Sequence, residues 1–222
     1  MIDLLYNLAR GPLVWVALVL FVVGSLYQFS QMALLARQKD GYVYEYWSWT
    51  HALKSAFYWW ILPLGSYNAR LNPVMAIVTW VFHLCLLFSP IFLLAHVVMF
   101  ETAWNVGLWP TLPDNLADIM AFAVLAGCAF FLLRRLVLPQ VKFVTSGNDF
   151  FILAVVCLPF LTGVLAYHQV ADYKTVITLH MLAGELMLAL LPFTRLAHAI
   201  YALFVRGYTA SEFGAVRQIK DW

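Results

Sequence analysis

Five apolar stretches, at 12–36, 73–100, 117–138, 149–167 and 174–205, dominate this 222-residue chain. Each meets or approaches the roughly 20 residues that a helix needs to cross a bilayer. A segment in hydrocarbon must satisfy its own backbone N–H and C=O groups, and an α-helix does so internally. The expected fold is therefore an all-α membrane protein, a five-transmembrane-helix bundle in which residues 1–222 form a single integral membrane domain. With 64% of residues hydrophobic and 11% charged, no surface remains for a second, soluble domain of ordinary size or for a nucleic-acid partner. The segment Met1 to Arg10 carries Asp3 and lacks a small-residue cleavage signal, so the first span is expected to be retained.

Between the first two spans, Gln38 to Asn72 mixes charges with aromatic residues. Its part at 51–63 is too short to cross, and Trp59 and Trp60 suit the headgroup level, so an interfacial helix is expected there. Basic residues orient the chain. Arg37, Lys39, Lys54 and Arg70 follow the first span, Arg134, Arg135 and Lys142 follow the third, and Arg206, Arg217 and Lys220 lie in or near the tail at 207–222. The connection from Phe100 to Asn115 holds no basic residue, and the fourth connection holds only Lys174. The positive-inside rule then places the N-terminus outside and the C-terminus in the cytoplasm of a multi-pass membrane protein.

Two spans carry two histidines each, His83 and His96 on the second and His180 and His198 on the fifth. An imidazole in hydrocarbon costs free energy unless something satisfies it, so such residues mark a functional site. Two haem irons, each held by one histidine from each span, are the economical partners. The topology pairs His83 with His198 nearer the cytoplasm and His96 with His180 nearer the outside. On an unbroken helix, 18 residues separate His180 from His198 by roughly 27 Å and five whole turns, so the two share a face. The 13 residues from His83 to His96 give roughly 20 Å and a rotation of about 220°, which requires reorientation at Pro90.

Neighbouring residues extend this reading. Gly184, four residues after His180, leaves space for a porphyrin, and Gly163 offers the same from the fourth span. Arg195 either pairs with a haem propionate or snorkels to lipid phosphate. Thr178 and Ser89 are the candidates for orienting the imidazoles. Glu185 either takes a proton from an oxidised quinol or is a protonated carboxyl bonded to a neighbour. Glu101 and Asp118, at outer span ends, are either solvated or part of a quinol site. His51 is expected to be exposed or at an interface, and His168 is an alternative to His96 as an outer ligand. Asp149 is expected to cap the fourth span. Cys85, Cys128 and Cys157 lie within spans without a Cys-x-x-Cys-His motif, so any haem c or iron–sulfur centre belongs to partners.

The run Pro192-Phe193-Thr194-Arg195-Leu196-Ala197-His198, with His180 eighteen residues before its end, resembles the last span of the gamma subunit of respiratory nitrate reductase. Leu133 to Lys142, Thr145 to Asp149, Val81-Phe82-His83 and Gly24-Ser25 resemble other parts of that family. The resemblance implies two haem b groups, the inner one on His83 and His198 and the outer one on His96 and His180, with a menaquinol site near the outer haem. Asp118 stands where that family has a lysine. Gly11 to Trp15, Pro90 to His96 and Ser211 to Arg217 resemble the cytochrome b subunits of Tmc- and Hmc-type transmembrane redox complexes of sulfate-reducing bacteria. That likeness implies an electron-transfer subunit between a periplasmic multihaem cytochrome c and a cytoplasmic iron–sulfur subunit similar to heterodisulfide reductase. The inner segments, Arg37 to Asn72 and Gly207 to Trp222, are expected to be exposed for docking it. A histidine-lined metal or proton transporter is the rival reading, and it predicts no haem.

Overall fold

The computed structural model describes residues 2–105, 109–220 and 222, and the described residues form helices, turns and no strands. In chain order the main helices are α1 (Ile2–Leu8), α2 (Val14–Lys39), α3 (Trp49–Ala56), α4 (Pro73–Phe92), α5 (Leu94–Trp104), α6 (Asp114–Val137), α7 (Gly147–Tyr167), α8 (Tyr173–Leu190) and α9 (His198–Ser211). Five helical segments are long and apolar enough to cross a membrane: Ile2–Lys39, Pro73–Phe92, Asp114–Val137, Gly147–Tyr167 and Tyr173–Phe193. The third and fourth match the sequence expectation closely. The first begins earlier than expected, because α1 continues into α2 through a π-helical turn, Ala9–Leu13, that accommodates Pro12. Proline has no N–H to give, and a widened turn absorbs the missing bond.

Two expected spans are interrupted. The second is not one helix over 73–100, because Leu93 adopts an extended conformation (φ −65°, ψ 129°) between α4 and α5. The break falls three residues after Pro90, and α4 itself runs through the proline. The fifth is not one helix over 174–205 either. After α8 come two 3₁₀ turns, Leu191–Phe193 and Arg195–Ala197, separated by the extended Thr194 (φ −124°, ψ −175°). The five-turn argument that put His180 and His198 on one helical face therefore does not apply. The expected interfacial segment at 51–63 is helical, made of α3 and the π turn Phe57–Ile61.

The chain divides into two compact units. The first comprises residues 1–13 and 81–187. Its α6 and α7 pack through rows one helical turn apart, Met120, Val124 and Cys128 on one and Val155, Val156, Pro159 and Phe160 on the other. Gly127 admits the Phe82 ring, since a Cβ there would lie 2.6 Å from Phe82 Cδ2. Asp149 is not the N-cap of α7 but its third residue. Its Oδ2 accepts from the Ser146 backbone N–H at 2.8 Å and from the Ser146 hydroxyl at 2.9 Å, as in a capping box. Arg135 stands 3.6 Å from the other carboxylate oxygen of this buried aspartate. Asp172 caps α8 through the Thr175 hydroxyl and N–H, and these bonds hold its carboxyl below the usual carboxylate range. Lys174 pairs with Asp3.

The second unit comprises residues 14–80 and 188–222. Here α9 packs on α3, and the close approach depends on small residues. A Cβ on Gly207 would sit 2.8 Å from the Trp47 ring, and one on Gly214 would collide with the His51 ring. The Ser48 N–H donates to Ser211 Oγ at 3.0 Å, and the Ser211 hydroxyl donates to the Gly207 carbonyl at 2.8 Å. Phe204 joins Phe29, Tyr44, Trp47 and Tyr208 in an aromatic cluster. Gly24 of α2 leaves a notch for Pro192, whose Cγ would stand 2.7 Å from a Cβ there.

Two expectations change as a result. His51 is a half-buried packing residue held by Ser48 Oγ at 2.9 Å, not an exposed one. The start of the expected docking tail, Gly207 to Gly214, is packed against this chain's own 47–52 segment, while Gln218, Ile219 and Lys220 stay exposed. Gly207→Val is expected to overpack the α3–α9 contact and cost about 1–3 kcal/mol of stability. Thermal unfolding in detergent, followed by tryptophan fluorescence, measures it.

Candidate functional site

The helix break at Leu93 leaves the last carbonyls of α4 without intrahelical partners, and in an apolar setting each must be bonded elsewhere. The Pro90 carbonyl accepts from His96 Nδ1 at 2.8 Å, the Ile91 carbonyl from Trp109 Nε1 at 2.7 Å, and the Phe92 carbonyl from the Leu112 N–H at 2.8 Å. One ligand candidate is thus oriented by the end of the helix that precedes it. A carbonyl only accepts, so the Nδ1 of His96 carries the proton and its Nε2 keeps the lone pair.

His180 is held in the same way from a different helix. Its Nδ1 lies 2.9 Å from the carbonyl of Pro159 on α7, with Thr162 Oγ1 at 3.4 Å. Gly163 makes this approach possible, because a Cβ there would come within 3.1 Å of His180 Cε1 and 3.3 Å of Nδ1. The expectation that Gly163 leaves room for a porphyrin is corrected: it leaves room for the imidazole. Gly184 faces open space, with nothing within 4 Å of where its Cβ would be.

The His96 and His180 rings face each other with centroids 6.0 Å apart and planes inclined by 23°. Two imidazoles on opposite sides of one metal, each with a metal–nitrogen bond of about 2.0 Å, place their ring centres about 6 Å apart. The centroid separation of His96 and His180 has that size. Among the described residues, no three His, Cys, Asp or Glu side chains converge as a metal-ion site.

His168 does not join this pair. It is exposed, and its Nε2 lies 3.1 Å and 3.2 Å from the two carboxylate oxygens of Asp118, beside the Phe122 ring. The two residues read separately from sequence thus form one hydrogen-bonded dyad. Glu185, five residues after His180, has its Oε1 buried with no hydrogen-bond partner among the described residues. The neighbour-bonded reading of this carboxyl finds no partner at that atom. Glu101 is half-buried in α5.

His83 on α4 lies edge-on to Phe82 at 5.3 Å. In the second unit, His198 opens α9, and its Nδ1 lies 2.7 Å from the Arg195 carbonyl, so it too presents the Nε2 lone pair. Three of the four candidate ligands therefore have the same tautomer fixed by backbone carbonyls. Sequence reasoning missed these partners. Thr178 donates to the Lys174 carbonyl at 2.7 Å instead of orienting His180. The signal available in sequence was the pair of prolines, Pro90 and Pro159, whose carbonyls the rings engage.

No protein-family model matches the chain. A protein of Nitratidesulfovibrio vulgaris, described by no more than the word "Protein", is 33% identical over 221 residues, covering 96% of this chain and 95% of the relative. The chain belongs to that protein's family. The likeness runs through nearly the whole of both chains.

Gly163→Val is expected to displace the His180 ring and break its bond to Pro159. In protein labelled with ¹⁵N-histidine, the His180 Nδ1–H resonance, protected in the wild type, is then expected to exchange with water.

Proposed function

We propose that this chain is a di-haem cytochrome b subunit that carries electrons across the bacterial cytoplasmic membrane. The observation that carries the reading is the His96–His180 pair, with its 6.0 Å centroid separation and with both Nδ1 atoms committed to backbone carbonyls. Metal-ligating histidines gain orientation and basicity from such a bond on the second nitrogen. His96 and His180 would hold a haem b there, which would supply a one-electron couple for electron transfer.

The residues act as a frame. Pro90 and Pro159 hold the two imidazoles, Gly163 lets the His180 ring reach its carbonyl, and the open space at Gly184 leaves room for a flat macrocycle. The second haem is assigned to His83 and His198 from the sequence resemblance, and the carbonyl-held Nδ1 of His198 supports the part played by that residue. In this reading the N-terminus lies outside and the C-terminus in the cytoplasm. A periplasmic multihaem cytochrome c and a cytoplasmic iron–sulfur subunit similar to heterodisulfide reductase are the electron partners.

A menaquinol-oxidising site is an extension of the same reading, favoured by one observation. Asp118 and His168 form a dyad against Phe122, an arrangement that suits a quinol hydroxyl and its ring. The buried Oε1 of Glu185 offers a second place for a proton.

The test is a reduced-minus-oxidised spectrum with haem counted by pyridine haemochrome on the purified protein. Two b haems are expected, with one lost in each of His180→Ala and His83→Ala and both kept in His168→Ala. A folded preparation without haem would overturn the reading and favour the transporter. Reporter fusions at either terminus check the topology, with a periplasmic N-terminus and a cytoplasmic C-terminus expected.

A further inference from the structure

The second unit contains a cavity of about 210 Å³ that the sequence reading did not foresee. Its walls include Trp59 and Trp60 from the π turn after α3 and His198, Tyr201 and Arg206 from α9. The Arg206 guanidinium carbon stands 4.7 Å from the centre of the Trp59 ring, and its Nε is buried. Stacking on an indole fixes the plane of a guanidinium and weakens its competition with water. His198 and Arg206 lie eight residues apart on one helix, roughly two turns and 12 Å along its axis. The wall thus presents an imidazole, aromatic side chains and a cation stacked on Trp59 around a single cavity.

That set of groups suits a planar macrocycle with an acidic arm. We propose that Arg206 is the positioning residue for a propionate of the haem ligated by His198. This assignment rests on the di-haem reading, and it replaces Arg195 in the role that the sequence suggested. Arg195 is exposed, and its backbone carbonyl is what engages His198. A guanidinium recognises a carboxylate through two parallel N–H donors, and in an aromatic cavity that pair is shielded from water. The Arg206 cation also stabilises the reduced iron relative to the more positive oxidised iron, so it raises the midpoint potential of that haem.

Potentiometric titration of the purified full chain tests the assignment, using Arg206→Gln, Arg206→Met, Arg206→Lys and Arg195→Gln. Arg206→Met keeps an apolar stem on Trp59, so a folded charge-free variant is available even if the glutamine variant fails to fold. The charge-free variants are expected to keep two haems. The haem that is missing from His198→Ala should then shift to lower potential, with an approximately tenfold smaller reduced-to-oxidised ratio at fixed applied potential, 59 mV for a one-electron couple. Arg206→Lys is expected to restore most of the wild-type value, and Arg195→Gln to leave both haems unchanged. Unshifted potentials in two-haem preparations of the Arg206 variants, or the same shift in Arg195→Gln, would overturn the assignment alone. A folded wild-type protein without haem would overturn the di-haem reading together with it.

Discussion

In a chain this apolar, an unbonded backbone carbonyl is the costliest local defect, and the places where helices break show how it is avoided. At Leu93 the last carbonyls of α4 are taken by an imidazole, an indole and a backbone N–H. The repair has a functional by-product. A histidine that donates from Nδ1 to a carbonyl is left with its Nε2 lone pair facing away, which is the state a metal ligand needs. The same logic acts at Pro159, where the carbonyl of the fourth membrane helix takes the proton of His180. The bonds that satisfy the helix carbonyls are thus the bonds that orient the imidazoles, and disturbing either helix also disturbs the imidazole attached to it.

The second unit is organised by absence of side-chain bulk. Gly24 admits Pro192, Gly207 admits Trp47, and Gly214 admits His51. Each glycine lets a rigid ring approach a helix backbone, and together they lock α9 against α3 and the turn at Pro192 against α2. Backbone-close packing of this kind is the usual way to associate helices where lipid is as apolar as the side chains. It also explains why the chain after the fifth apolar stretch turns into a short, separate helix. Pro192 cannot continue the α8 hydrogen-bond ladder, and Thr194 is extended before α9 begins.

The number of membrane-length helices, the ends of the third and fourth and the helical nature of the segment at 51–63 were legible in the sequence, because apolar length and helical capping are local properties. The choice between His96 and His168 was not. Both occur near the same end of their apolar stretches, and only packing shows that Asp118 engages His168 while His96 faces His180. The shared helical face of His180 and His198 was misjudged because an ideal helix was carried through Pro192 and Thr194. The orienting partners of the imidazoles were hard to read for a different reason: they are main-chain carbonyls, which every residue has, and only Pro90 and Pro159 mark two of them. That Arg206 shares a cavity wall with His198 was likewise not foreseen, because the two stand eight residues apart in the chain.

The sequence by itself determined that this is an all-helical chain with five apolar stretches and with four histidines in or beside two of them, since hydropathy and residue type depend on nothing beyond the chain. Tertiary structure alone decided which imidazoles meet, which nitrogen each one presents and which cation shares a cavity with His198. Those outcomes depend on where helices stop and which carbonyls they leave open, and a helix stops where packing makes the interrupted ladder affordable.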